Sequence, residues 1–310
     1  MLGVTADALF ADPRRGHPVA GFGRAAAGLE RRMYADSRRR GATFVAASAA
    51  VPILAGWAIE RGTSGRPALK VLATAVATWT VLGGASLASE GEQMASLLED
   101  GDLAAARGRL RNLCAREASG LDGGQLARAT VESLAENASD AVVAPLLWGA
   151  VAGVPGLLGY RAVNTLDAMV GYRSSRYLRF GWAAARVDDL ANLVPARVTG
   201  LIVVACAPAV NGSARAAWRV LRRDGAAHPS PNAGRPEAAA AGALGVRLGG
   251  SNVYPGHVED RPTLGDGRGP GVADIRRSVR LVRLIGTGAT AFAVLVAVVA
   301  QGRGGLAPRS

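Results

Sequence analysis

Cysteine, histidine and lysine are all scarce in this 310-residue chain. Two cysteines, Cys114 and Cys206, cannot build a disulfide framework, and both read as buried or incidental thiols. With three histidines a His-based zinc site is not expected; His17 and His228 are each followed by proline, which favours loops over shared ligation. Lys70 is the only lysine, so arginine carries the net charge of +12, a bias that a GC-rich genome also produces. The arginines are dispersed and no recognised nucleic-acid-binding motif is present, so nucleic acid is not an expected partner. There is no GxxxxGK[ST] loop and no GxGxxG after a strand, which leaves a P-loop or Rossmann ATP site unsupported. The N-terminus lacks a signal-peptide layout: Met1 to Phe10 is a short apolar run with Asp7 inside it and no basic region before it. It is compatible with the second half of a membrane helix whose beginning a misplaced start codon removed.

What the chain has in quantity is apolar sequence. Hydrophobic residues make up 49% and aromatics 5%, and the mean hydropathy is +0.18 despite 19% charged residues. Such a mixture points to apolar blocks separated by charged ones, as in a multi-span membrane protein. Residues 42–59, 71–89 and 284–300 are charge-free blocks long enough to cross a bilayer as helices. Residues 141–160 form a fourth, interrupted by Pro145, Pro155 and several glycines; 198–210 reach spanning length only with 190–197 and Arg197 included. The expected fold is therefore all-α: a polytopic membrane protein of four to five segments in a single domain over 1–310, with amphipathic cytoplasmic helices. Arg14, Arg15, Arg24, Arg31, Arg32, Arg38, Arg39 and Arg40 outnumber Asp12, Glu30 and Asp36, placing 12–41 in the cytoplasm. Residues 90–140 read as a polar helical insert with turns at Gly101 and Gly120–Gly124. Residues 211–283 read as a mostly irregular Gly/Pro/Arg-rich loop with one Ala-rich helix near 236–246.

Four clusters carry candidate chemistry. In TVESLAENASD, Glu132, Glu136 and Asp140 stand four apart, on one face of a helix that runs into an apolar block. Like charges at that spacing need something positive between them, and Mg²⁺ with its hard oxygen ligands would serve; a solvated acidic face is the plainer alternative. In YRAVNTLDAMVGYR, Arg161, Asn164 and Asp167 sit among apolar residues. In ARVDDLANLVPAR, Asp188 and Asp189 resemble a metal or phosphate–metal site and Arg186 and Arg197 could hold an anion, against simple N-capping of the next helix. In HPSPNAGRPEAAAAGALGVRLGG, Asn232, Gly234 and Pro236 turn into a helix with Glu237 in its first turn, and Gly249-Gly250 permit close backbone approach.

These clusters, with ADPRRGHPVAGFGR at 11–24 and FGWAAARVDDLANLVPAR at 180–197, resemble in order the adenosylcobinamide-phosphate synthase family of cobalamin biosynthesis (CobD/CbiB). The resemblance runs from about Asp7 to Gly267. It implies an integral protein of the bacterial inner membrane that joins adenosylcobyric acid to aminopropanol phosphate, or ethanolamine phosphate, by ATP-dependent amide ligation. Family motifs fall on Glu132, Glu136, Asn137, Asp140, Asn164, Asp167, Arg186, Asp188, Asp189, His228, Asn232 and Glu237. The chain departs from the pattern in its short segment before DPR, in Ala11 where Gly is usual, in Glu117-Ala118, which leaves the 114–122 loop without an assured role, and in Ala141. On that basis Glu132, Glu136, Asp140, Asp188 and Asp189 are expected to bind Mg²⁺. Arg161, Arg186 and Arg197, with Asn164, Asn232 and Glu237, are expected to bind substrate and phosphate, and ATP to activate the carboxylate. His228 is the expected base for the incoming ammonium and Asp167 its reserve. Rivals are an AmpE-like non-enzymatic membrane sensor, a Mg²⁺-dependent membrane transferase and a transporter; a homo-oligomer is left open. For 141–160, a single crossing would put its two flanks on opposite sides of the bilayer, and a broken hairpin around Val154-Pro155-Gly156 would avoid that.

Overall fold

The computed structural model describes residues 1–13, 16–172, 174–254 and 257–304; Arg14, Arg15 and Arg173 of the motifs above lie outside them. It is 75% helical with one two-stranded sheet, the all-α class expected. The helices in the first half are α1 (Leu2–Phe10), α2 (Pro18–Met33), α3 (Arg38–Gly62), α4 (Pro67–Val81), α5 (Gly84–Glu99), α6 (Leu103–Leu110) and α7 (Gly123–Ala138). A π turn (Ser139–Val143) follows, then α8 (Ala144–Val170), α9 (Tyr177–Phe180), α10 (Trp182–Ala191), α11 (Leu193–Cys206), α12 (Ala214–Asp224) and α13 (Gly234–Leu244). Strands β1 (Leu248–Tyr254) and β2 (His257–Leu264) precede the last helix, α14 (Val272–Gly304). Five helical stretches are long and apolar enough to cross a membrane: Arg38–Gly62, Pro67–Glu99, Gly123–Val170, Leu193–Val210 and Val272–Val299. Each contains one of the expected blocks, and the protein is a multi-pass membrane protein.

The chain clusters into two compact units. The first comprises Met1–Gly83, Ala144–Asn192 and the last helix from Thr290; the second comprises Gly84–Val143 and Leu193–Ala289. In the first unit, Phe44 and Val45 of α3 meet Val163, Leu166 and Val170 of α8 and Phe180 of α9 in a buried core. The outer face of α3 is apolar and exposed (Val51, Leu54), as lipid contact requires. Arg38 stacks on Trp182 near one end of α3 and Arg61 on Trp57 near the other. Nineteen residues separate positions 38 and 57, about 28 Å of helix, so these Arg–Trp pairs suit the two edges of a ~30 Å hydrocarbon layer.

α8 is two helices, because its backbone breaks at Ala152 and Gly153, the latter at φ 61°. A Cβ on Gly149 would lie 2.7 Å from Leu157 Cδ2. Residues eight apart in a straight helix are about 12 Å apart, so the chain doubles back. This is the expected hairpin, broken two residues earlier than Val154. Gly153 takes the left-handed turn that other residues resist, and Pro155 then falls in the first turn of the second half, where its missing N–H costs nothing. Glu60 of α3 accepts a hydrogen bond from Val154 N (3.0 Å), placing a carboxylate on the new helix N-terminus. The 141–160 stretch is therefore no single straight crossing.

Ala11 ends α1 at φ 51°, ψ −161°, a region that essentially only glycine occupies without strain. The departure from the family's usual Gly thus carries a local cost. Ala11→Gly is expected to stabilise the protein by about 1 kcal/mol, read as a raised thermal midpoint in detergent.

In the second unit, residues 90–140 form helices with a turn at Gly101 (φ 74°), as expected. Residues 211–283 are not a mostly irregular loop. α12 buries Ala217, Val220 and Leu221 and exposes Arg215, Arg219, Arg222 and Arg223, with Ser213 capping its start. Its arginines belong to one helix face, and arginine-rich composition had disguised that periodicity. The Ala-rich helix is α13, buried along its whole length (Gly234 to Leu244) because alanine and glycine let α7, α11 and α12 approach closely. β1 and β2 pair antiparallel with Gly250 opposite Arg261 and Asn252 opposite Glu259.

Candidate functional site

The second unit gathers charge into its interior. α7 starts with a capping box between Asp122 and Gln125 and is buried from Ala129 to Ala135, Glu132 included. A carboxylate there must be neutralised. Arg116, from the loop after α6, puts Nη2 2.7 Å from Glu132 Oε2. Gly249 N donates to Glu132 Oε1 at 2.7 Å, and Arg128 Nε lies 3.9 Å from the same oxygen. Gly249 and Gly250, at φ 84° and 94°, let the backbone turn its amide inward there. Their close approach serves the protein's own carboxylate. Arg128 also ties down β1, donating to the Gly249 carbonyl, to Ser251 O (3.0 Å) and to Asn252 Oδ1 (3.3 Å).

The sheet alternation sets what faces this interior. Ser251 and Asp260 are exposed and bonded to each other, so Gly250, Asn252, Glu259 and Arg261 take the opposite face. Arg261 Nη1 lies 3.8 Å from Glu237 Oε1, and its Nη2 3.8 Å from Glu259 Oε2. Glu237, in the first turn of α13, is 1% exposed. Burial first, then the charges of Glu136 and Glu132, hold its carboxyl well above the ordinary Glu value, with Arg261 and Arg116 opposing. Glu136, one turn after Glu132 on α7 and half-buried, lies within the electrostatic reach of Arg261, Arg116 and Glu132. Glu132, Glu136, Glu237, Arg116, Arg128 and Arg261 thus form one charged cluster, with Glu132, Glu237 and Arg116 buried and Glu136, Arg128 and Arg261 half-buried.

His228 joins it from the turn between α12 and α13. Its Nδ1 accepts the Ser230 amide N–H at 3.0 Å, as the His17 ring accepts that of Val19. Burial and then the Arg261 charge depress its pKa to about 4. Neutral His228 with Nδ1 engaged carries its proton on Nε2. That nitrogen is a donor, so the geometry withdraws the base role expected of His228. Between an unfolded pKa near 6.5 and a folded one near 4 the unfolded chain takes up a proton that the native state refuses. Stability should therefore fall by up to about 3 kcal/mol as pH drops through that window. His228→Gln should flatten that part of the pH–stability curve in detergent.

Asp140 stands in the π turn, whose wider winding departs from the four-residue face shared by Glu132 and Glu136. Asn137 donates to the Leu113 carbonyl (3.1 Å) and Ser139 accepts from Thr199 of α11 (3.1 Å). Asn232 is buried beside the His228 turn, and Arg197 projects, exposed, from α11 with Nη1 on the Leu193 carbonyl. The first unit brings two other motifs together. Asn164 of α8 and Asn192 both donate to Asp188, at 3.3 and 3.0 Å. Tyr160 donates to Asn192 (2.9 Å) and Arg161 to Asn164 (3.4 Å). Asp188 and Asp189 lie inside α10, so Asp188 ties α10 to α8 and caps no helix. Asp167 is half-buried on α8, and Arg186 is exposed on α10.

The five acids expected to bind Mg²⁺ divide between the units: Glu132, Glu136 and Asp140 in the second, Asp188 and Asp189 in the first. Among the described residues no three His, Cys, Asp or Glu side chains converge as a metal group. The positive charge that the α7 acids need comes from Arg116, Arg128 and Arg261, none of which sequence reasoning singled out. Arg116 lies in the very loop whose role the Glu117-Ala118 departure left in doubt. Its pairing with Glu132, sixteen residues on, follows no helical or strand period, so no local signal marked it.

The family profile described as "CobD/Cbib protein" matches residues 1–282. A cobalamin biosynthesis protein CobD of Mycobacterium tuberculosis (strain ATCC 25618 / H37Rv) is 56% identical over 296 residues, 96% of this chain and 94% of that protein. The protein of the same name from Geobacter metallireducens is 46% identical over 302 residues (96% and 94%), and that of Rhodobacter capsulatus 43% over 297 (94% and 92%). No solved structure matches the chain. Five membrane-length helices, motifs in register and relatives matched almost end to end lead to one assignment: the chain belongs to the CobD/CbiB family of cobalamin biosynthesis.

Proposed function

We propose that this protein is an adenosylcobinamide-phosphate synthase of the bacterial inner membrane, forming the amide between adenosylcobyric acid and aminopropanol phosphate with consumption of ATP. The observation that carries the proposal, beyond family membership, is the charged cluster of Glu132, Glu136 and Glu237 with Arg116, Arg128 and Arg261, built around the buried Glu132, Glu237 and Arg116. Amide formation needs an acyl group made reactive, an amine stripped of its proton, and shelter from water. ATP supplies the leaving group on the corrin carboxylate. The chain's own residues do the rest. Glu237, whose proton affinity is raised by burial, takes the proton of the incoming ammonium in place of His228. Arg116 fixes Glu132, and Glu132 fixes the Gly249 backbone, so the walls of the cluster are rigid before substrate arrives.

A resident Mg²⁺ on Glu132, Glu136 and Asp140 does not fit, since both Glu132 oxygens already serve protein donors. In this proposal Mg²⁺ enters with the nucleotide, which needs few protein ligands because the ion keeps much of its water. An AmpE-like sensor has no use for a buried carboxylate of raised proton affinity. A pyrophosphate-type transferase needs a free aspartate pair, whereas Asp188 is held by two asparagines. The test is complementation of a cobalamin auxotroph lacking this step, with mass analysis of the corrinoid formed. Accumulation of adenosylcobyric acid with no cobinamide phosphate, from protein present in the membrane, refutes the proposal.

A further inference from the structure

Besides guanidinium nitrogens of Arg116, Arg128 and Arg261, the buried atoms Glu237 Oε1, His228 Nε2 and Asn252 Nδ2 at the charged cluster make no hydrogen bond among the described residues. Their residues are 1%, 8% and 1% exposed. Nearly every buried polar group in a folded protein is satisfied, and an exception calls for a cause such as strain, a catalytic role or a bound water or ion. Outside the arginines, these three atoms divide by chemistry. One is a carboxylate acceptor. The other two are N–H donors: the amide of Asn252, whose Oδ1 is taken by Arg128, and the imidazole of His228, whose Nδ1 is taken by Ser230.

Arg261 links them. It lies 3.8 Å from Glu237 Oε1, its charge acts on His228, and it stands diagonal to Asn252 on the inward face of the β1–β2 hairpin. The ligand that completes this arrangement presents a hydrogen-bond-donating cation at one end and oxygen acceptors of negative charge at the other. We infer that the cluster is the binding site for the amine donor, a zwitterionic amino-alcohol phosphate, with its ammonium on Glu237 and its phosphate oxygens on His228 Nε2–H, Asn252 Nδ2–H and Arg261. This rests on the proposed ligation for the ligand's identity, and it adds a phosphate end and a residue, Asn252, that no motif singled out. Phosphate oxygens also meet His228 in its neutral donor form without demanding a base of it.

The test uses the full chain purified in detergent, without ATP or corrinoid, and measures binding of ethanolamine phosphate and of ethyl phosphate, which lacks the amine, by calorimetry. Wild type should bind ethanolamine phosphate at least ten-fold more tightly than ethyl phosphate. Glu237→Gln should abolish that preference while leaving ethyl phosphate affinity within about two-fold. Asn252→Ala and His228→Ala should weaken both ligands by about ten-fold and keep the preference; His228→Gln, which retains an N–H donor, should recover part of the loss. A preference that survives Glu237→Gln, or unchanged affinity in both alanine variants with their thermal midpoints preserved, overturns the inference. The corrinoid assay separates the two proposals. Cobinamide phosphate made by wild type alongside failed binding predictions refutes the site and leaves the ligase; the predicted binding pattern without cobinamide phosphate refutes the ligase and leaves a site for zwitterionic phosphates.

Discussion

Glu237→Gln is expected to lower the rate of adenosylcobinamide phosphate formation in membranes by about 100-fold or more, the range for loss of a positioned general base. The substitution keeps the side chain's shape and removes its ability to accept a proton. An ammonium ordinarily holds its proton far more tightly than a carboxylate does, so a Glu at its ordinary pKa is a poor base for it. Glu237 is better matched, because burial and the neighbouring Glu136 and Glu132 raise its proton affinity. The same environment predicts the stability of the variant. A carboxyl with a raised folded pKa favours the native state while protonated, and that contribution is lost as pH rises through the folded value. Glu237→Gln should therefore be at least as stable as wild type at pH 8, and inactive. Undiminished turnover removes the base assignment. A protein that no longer accumulates in the membrane shows a structural role instead.

Glu132→Ala should behave in the opposite way, failing through the fold. Both partners of the Arg116–Glu132 pair are almost completely buried, with side-chain exposures of 3% and 2%. Removing the carboxylate strands Arg116 without its Glu132 partner and leaves the Gly249 amide without its acceptor. Breaking a buried pair from one side costs about 3–5 kcal/mol. Replacing both members with apolar side chains of similar size costs much less, because neither charge then has to leave water. Arg116→Met with Glu132→Met should thus recover at least half of the stability lost in Glu132→Ala, measured as thermal midpoint in detergent. A double variant as unstable as the single one shows that the pair is not the main term.

The contrast between these variants shows why the site was only partly legible beforehand. Glu132, Glu136 and Glu237 carry charge in apolar surroundings, and that anomaly is visible along the chain. What it meant was not. A run of acids four apart predicts a neighbouring positive charge without saying whether it is a metal ion or an arginine. Arg116, Arg128 and Arg261 supply it, and they reach Glu132 and Glu237 from a loop, from the same helix and from a hairpin strand. His228 was visible as a residue, and its role was reversed by one backbone amide, that of Ser230. Asn252 carried no signal, since a strand asparagine next to two glycines looks like turn chemistry. In the first unit, Asn164 and Asp188 were found as separate motifs, and only folding joined them.

The amino-acid sequence by itself determined the membrane spans, the family and the break near Pro155, because hydrophobic run length, motif order and proline or glycine chemistry act over neighbouring residues. It also marked which acids are out of place. Tertiary structure decided what neutralises them, which histidine nitrogen bears a proton, and that residues 211–283 are folded. The Ser230 amide that sets the His228 proton and the Arg128–Glu132 pair are local, but the other contacts of the cluster join residues 16 to 124 positions apart. Burial and charge pairing at that range follow from packing in three dimensions, which no local period encodes.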